Sequence, residues 1–205
     1  MIMEIIKDVL KDNWPVLVIF LVTIIIIRIF YLRNHREKLH FYKEILTICS
    51  IIYIFLLFQL LTKAELNHNS GYNLIPFTEI MRYEFGSKLF VLNVLGNIIL
   101  FIPFGLMVAE YIKPKTIVPP LVTALIVSTT VEFVQLNIGR SFDIDDIILN
   151  IIGSILGYLL YVGFKAIGRR LPSLFHSDTL YTIIITTLLI IFVLYILKYL
   201  GVLAI

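Results

Sequence analysis

Blocks of about 20 consecutive apolar residues recur along this chain, each the length that crosses a bilayer as a helix. Six such spans can be marked, over 14–32, 43–62, 88–110, 117–137, 146–164 and 180–200. Of the 205 residues, 60% are hydrophobic and 15% charged, and the mean hydropathy is +0.98. A soluble domain averages ~25% charged residues, and a chain this short cannot hide so many full-length apolar helices in a water-soluble core. The expectation is an all-α integral membrane protein, a bundle of about six transmembrane helices folded as one domain over 1–205. The lone cysteine, Cys49, excludes an internal disulfide and a cysteine-built metal site. Within its apolar run it is expected as a buried small hydrophobe. The net charge of +3 says little overall, because orientation depends on where the Lys and Arg sit; no nucleic-acid partner is expected.

Charge placement predicts the orientation. Arg28, Arg33, Arg36, Lys38 and Lys43 follow the first apolar run instead of preceding it, and no small-residue cleavage site appears. The run therefore reads as a membrane span and not as a cleavable signal. The segments after the first, third and fifth spans carry ten Lys or Arg, against seven on the other side. By the positive-inside rule both termini, the loop 63–87 and the loop 137–145 face outward. The loop 63–87 is polar at first and turn-prone at Ser70-Gly71, then apolar over Asn73-Leu-Ile-Pro-Phe77. Pro76 biases Ile75 away from helix, so this stretch is expected to be extended or turned. It is also expected to fold back onto the helix ends.

Two polar stripes stand out in the later spans. Ser128, Glu132, Gln135 and Gly139 fall at helical spacing on one span, and Asp146, Asn150, Gly153 and Gly157 repeat the same offsets on the next. A function is expected between these faces. A carboxylate such as Glu132 inside an apolar span costs roughly 2.5–3.5 kcal/mol, so it either faces a cavity or meets a structural partner such as Asn93, Asn97 or Asn150. Between the stripes runs Arg140-Ser-Phe-Asp143-Ile-Asp145-Asp146. Asp143 or Asp145 is expected to cap the next helix, with Arg140 the obvious partner for a remaining acid. The run matches no fixed metal-ligand spacing and has no histidine beside it, so no metal or cofactor is expected. His35, His40, His68 and His176 lie outside the cluster and are expected as solvated residues. In the third span, Asn93 and Asn97 share a face and Gly96 is expected to let another helix approach. Pro103 frees the Ile99 carbonyl and is expected to kink that helix, whereas Gly153 and Gly157 read as a helix-packing pair. Pro119-Pro120 suits a first helical turn.

Four spaced motifs then acquire a common meaning. Asn73-Leu-Ile-Pro76-Phe77, Asn93-x-x-Gly96-Asn97-x-x-x-Phe101-x-Pro103-x-Gly105, Glu132-x-x-Gln135 and Arg140-x-Phe142-Asp143-Ile144-Asp145-Asp146-x-x-x-Asn150-x-x-Gly153 occur in this order. Together they resemble the VanZ-like family over about 73–161, leaving the spans 14–32, 43–62 and 180–200 as additions. The resemblance implies a bacterial cytoplasmic-membrane protein of the cell envelope that lowers susceptibility to the lipoglycopeptide teicoplanin. It implies no reaction.

Asn73, Asn93, Asn97, Gln135, Arg140, Asp145 and Asn150 are therefore expected as ligand-binding residues around one outward pocket. The ligand would be amphiphilic, a lipid-linked precursor or a lipoglycopeptide, with membrane lipids as partners. The competing expectation is a membrane enzyme acting on a lipid or lipid-linked precursor. Glu132 would then serve as acid or base, and Asp143 and Asp146 would position a metal or hydroxyl. A transporter fits less well, since no repeat is visible and Pro103 alone hints at a broken helix.

Overall fold

The computed structural model of the chain describes residues 2–35, 41–62 and 71–170, together with 182, 183 and 187. The elements are α1 (Ile2–His35), α2 (Phe41–Thr62), β1 (Tyr72–Asn73), α3 (Thr78–Arg82), α4 (Lys88–Phe90), a π-helical turn (Val91–Leu95), α5 (Gly96–Ile112), α6 (Val118–Asn137), β2 (Phe142–Asp143) and α7 (Ile144–Gly168). Among the described residues five helices are long and apolar enough to cross a membrane: Val18–His35, Phe41–Gln59, Lys88–Ile112, Val118–Asn137 and Ile144–Gly168. They answer to the first five spans read from the sequence, and the protein is a helical membrane protein. The sixth, over 180–200, lies outside the described residues, as do His40, His68 and His176. α1 begins twelve residues before the span at 14, at Ile2, because hydropathy marks only the apolar part of a helix.

The chain divides into two compact units, Met1–Asp12 with Tyr53–Lys165, and Asn13–Ile52 with Ala166–Ile205. In the second unit Arg28, grouped above with the loop, sits inside α1. Its Nε and Nη2 donate to the two carboxylate oxygens of Glu44 on α2, at 2.7 and 2.9 Å. This two-pronged pair neutralises a charge that neither helix could carry alone in lipid. Cys49 is exposed on α2 and is not the buried hydrophobe expected, because an apolar run in a membrane can turn any face outward. His35 stacks on Tyr31 in the last turn of α1.

The first unit holds the core and the motifs. Leu57, Leu61, Phe101, Phe104, Ala124 and Val131 form its buried centre, drawn from α2, α5 and α6. Tyr53 donates its hydroxyl to the Leu100 carbonyl on α5. α5 and α7 meet along a glycine seam. A β-carbon on Gly105 would overlap the Ser154 backbone; one on Gly153 would overlap the Ile98 carbonyl; one on Gly157 would overlap the Ile102 carbonyl. Small residues at such contacts let helix backbones touch, which is how helices associate in lipid without a hydrophobic drive. Gly96 does not take part: a β-carbon there would meet only Val91 O, at 3.7 Å, on its own helix. The close approach expected at Gly96 falls instead at Gly105, nine residues further along the same motif. α6 carries its prolines in the first turn, where a missing N–H costs little.

The bundle is not purely helical. β1 and β2 pair in parallel, with Tyr72 opposite Phe142 and Asn73 opposite Asp143. Two membrane spans separate these strands in sequence, so the pair ties a loop before the third span to the loop before the fifth.

Candidate functional site

The site begins where α6 stops. Gly139 adopts φ 89°, the left-handed conformation that glycine accepts without strain. Arg140 N then bonds back to Gln135 O at 3.0 Å and Gly139 N to Leu136 O at 3.2 Å. These two bonds close the carbonyl end of α6 as a Schellman motif. The turn delivers Phe142 to β1, where its N–H donates to Gly71 O at 2.9 Å. It also delivers Asp143 to the start of α7, where Asp143 Oδ1 accepts from Asp145 N at 2.8 Å as an N-cap.

Asp145, the alternative cap, does something else. One of its oxygens accepts from Phe77 N at 2.5 Å; the other accepts from Glu79 N at 2.8 Å and Ile80 N at 3.2 Å. The carboxylate at the start of α7 thus satisfies the free amides of α3, a helix 65 or more residues earlier in the chain. Phe77 is held at φ 68°, a conformation costing a non-glycine residue about 1–2 kcal/mol, and the Asp145 bond is what fixes it. The Asn73 side chain joins the same junction. Its Nδ2 donates to Asp143 Oδ1 at 3.0 Å, and its Oδ1 accepts from Ile75 N at 3.4 Å. The Asn-Leu-Ile-Pro-Phe and Asp-Ile-Asp motifs are therefore two halves of one hydrogen-bonded knot.

An open cavity of about 540 Å³ lies against this knot. Of the ten residues singled out from the sequence, Asn73, Asn93, Arg140, Asp143, Asp145 and Asp146 line it. Asn93 reaches it from the π-helical turn, whose extra residue widens the helix, a feature often found at functional sites. Burial raises the Asp143 carboxyl above its ordinary 3.8; the Asp145 N–H and Asn73 amide pull the other way, and the charges of Asp145 and Glu79 add to the rise. Arg140 does not pair with a carboxylate among the described residues. Its Nη1 donates at 2.8 Å to Leu61 O, at the end of α2, because that carbonyl has no partner within its own helix.

Asn97, Glu132, Gln135 and Asn150 lie outside the lining. Asn97 Nδ2 donates to Asp146 Oδ1 at 2.6 Å and so orients a lining carboxylate. Glu132, 1% exposed, accepts from Asp143 N at 2.8 Å through Oε2, and not from any of the asparagines weighed for it. Gln135 Nε2 shares Leu61 O with Arg140, at 2.8 Å. Asn150 Nδ2 donates to Ser128 Oγ at 2.8 Å, fully buried between α6 and α7. Gln135 Oε1 and Asn150 Oδ1 are buried without a partner among the described residues. The two polar stripes are thus packed surfaces, and the cavity lies at their ends instead of between them. Of the eight stripe residues only Asp146 reaches it.

Three ionisable lining residues escaped the sequence reading: Glu79, Arg82 and Tyr83. Arg82 Nη1 bonds to both oxygens of Glu79, at 3.2 and 3.3 Å. The signal was present as charges three apart just after the Pro76 motif, but nothing in the sequence ties that loop to Asp145. Among the described residues, no three His, Cys, Asp or Glu side chains group tightly enough to hold a metal ion.

Spans that alternate in direction bring their ends to one level, and the loops there knot around a polar hollow; this defines a multi-pass helical membrane protein with a polar site at one end of its bundle. Residues 41–167 match the family model described as VanZ/LLP1, more than half of the chain, and the chain belongs to that family. Protein VanZ from Enterococcus faecium is 34% identical over 96 residues, covering 46% of this chain and 54% of that protein. The chain thus spans about half the length of this curated relative. No solved structure matches.

Proposed function

We propose that this protein binds the polar part of an amphiphile in the cavity beside Asp143 and Asp146, with the apolar part lying along the spans. The ligand is a lipid-linked envelope precursor or a lipoglycopeptide, and its capture lowers susceptibility to antibiotics such as teicoplanin. The cavity opens to the outer face of the bacterial cytoplasmic membrane, with both termini on that side. The observation that carries this reading is the 540 Å³ hollow itself: a site of ligand size, furnished with carboxylates, amides and two guanidinium groups, at the end of apolar helices. The name of the Enterococcus faecium relative supports the link to glycopeptide response.

The competing reading is an enzyme acting on a lipid-linked precursor, with Glu132 as acid or base. Glu132 is 1% exposed, outside the lining, and engaged with Asp143 N, which favours a positioning role. The two readings separate in a teicoplanin-susceptible host expressing the protein. Binding predicts that Arg140→Ala and Asp146→Asn forfeit most of the protection while Glu132→Gln, which keeps an acceptor for Asp143 N, retains most of it. Loss of all protection in Glu132→Gln at normal membrane abundance would hand the site to the enzyme reading. Full protection in Arg140→Ala and Asp146→Asn would remove the cavity from the mechanism.

A further inference from the structure

The segment from β1 to the start of α4 has two unlike sides. Asn73, Glu79, Ile80 and Tyr83 turn toward the cavity. Leu74, Ile75, Phe77, Met81 and Phe85 turn away from it and stay uncovered: Ile75 is 71% exposed, Met81 81% and Phe85 89%. The stretch folds back onto the helix ends as the sequence led us to expect, through the Asp145 bonds to Phe77, Glu79 and Ile80, yet its apolar side chains stay uncovered there. A contiguous run of large apolar side chains held out from a protein marks an interaction surface.

Two anchors define the level at which this surface sits. Asp145, the second residue of the span Ile144–Gly168, holds the amides of Phe77, Glu79 and Ile80. Ser87, whose Oγ accepts from Phe90 N at 3.1 Å, caps the start of the span Lys88–Ile112. Residues 77–87 are thus pinned at both ends to the first residues of membrane spans. At that depth the neighbour of an outward side chain is the headgroup and upper acyl region of the bilayer. The flanking residues suit it: Tyr72 and Phe85 are aromatic, and Arg82 and Lys88 are exposed cations that can meet lipid phosphates.

From this geometry we infer that the segment from Leu74 to Phe85 is embedded in the membrane interface, its apolar side among lipid chains and its polar side forming the cavity wall. The occupant of the exposed surface is the bilayer, not water and not another protein. The inference requires no ligand and stands apart from the proposal above.

Spin labels in lipid nanodiscs of phosphatidylethanolamine and phosphatidylglycerol test it. In a Cys49→Ser background, single cysteines are introduced by Met81→Cys, Phe85→Cys and, on the cavity side, Ser141→Cys. Collisions with oxygen report lipid and collisions with a water-soluble nickel chelate report solvent. The expected result is oxygen accessibility several-fold above nickel accessibility at 81 and 85, with the order reversed at 141. Nickel accessibility at 81 and 85 equal to that at 141 would place the segment in water and overturn the inference. So would low accessibility to both reagents, which signals a covering protein surface; dipolar broadening between labels would identify that surface as a second copy. Because Met81 and Phe85 are among the most exposed side chains, either label suffices should the other variant fail to fold.

Discussion

Asp145 has the most unusual task of any single residue here. A carboxylate accepting three backbone N–H groups replaces three separate caps, and it does so for a distant helix instead of its own. Hydrogen bonds to a charged acceptor contribute about 1.5–3 kcal/mol each when water is excluded. Asp145→Asn removes the charge and turns an NH2 group toward at least one of those amides. Its expected cost is about 2–4 kcal/mol of thermal stability in detergent. Hydrogen exchange at Phe77, Glu79 and Ile80 is expected to speed up far more than in the α5 core. Unchanged protection at those three amides would mean that something other than Asp145 holds α3. Asp143 is tuned differently: it caps α7, receives Asn73, and passes its own N–H to Glu132, so three motifs are joined through one residue.

At the level of elements, the helices are matched by shape. Gly105, Gly153 and Gly157 bring the α5 and α7 backbones into contact. Gly157→Ala puts a methyl group against the Ile102 carbonyl and, at 2.7 Å, Leu106 N, both backbone atoms that cannot rotate away. It should cost about 1–3 kcal/mol, as overpacking does. Gly163→Ala, on the same helix with nothing within 4 Å, should be neutral or stabilise by up to about 1 kcal/mol. Unfolding of the two variants side by side in detergent checks the contrast; equal effects would show that the seam is not a packing constraint. The π-helical turn at Val91–Leu95 is a second element-level device, since it swings Asn93 to the cavity while Asn97, one turn later, is free to hold Asp146.

For the whole molecule, the ends of α2 and α6 and the starts of α4 and α7 converge, so the site occupies one end of the bundle. The proposed orientation puts that end outside the cell. In a Cys49→Ser background, Ser141→Cys should then react with a membrane-impermeant maleimide in intact cells, and Lys115→Cys, in the turn at the other end, should react only after lysis. The reverse pattern would turn the cavity to the cytosol and end the reading in which it meets an antibiotic from outside.

The spans could be read from the sequence alone because apolar length is a local property: a run such as 118–137 needs only itself to cross a bilayer. An N-cap at Asp143 or Asp145 and the packing pair Gly153 and Gly157 were equally local, each carried by a residue type at a helical spacing. The partners were not. Whether Asp145 caps its own helix or one 65 residues back, whether Arg140 meets a carboxylate or the Leu61 carbonyl, and whether Asn150 faces a ligand or Ser128 depend on which backbone groups the fold leaves unpaired nearby. Hydrogen bonding is satisfied by whatever is close in space, so the sequence determined which groups would be costly to bury, and only the tertiary structure decided what each of them would bind.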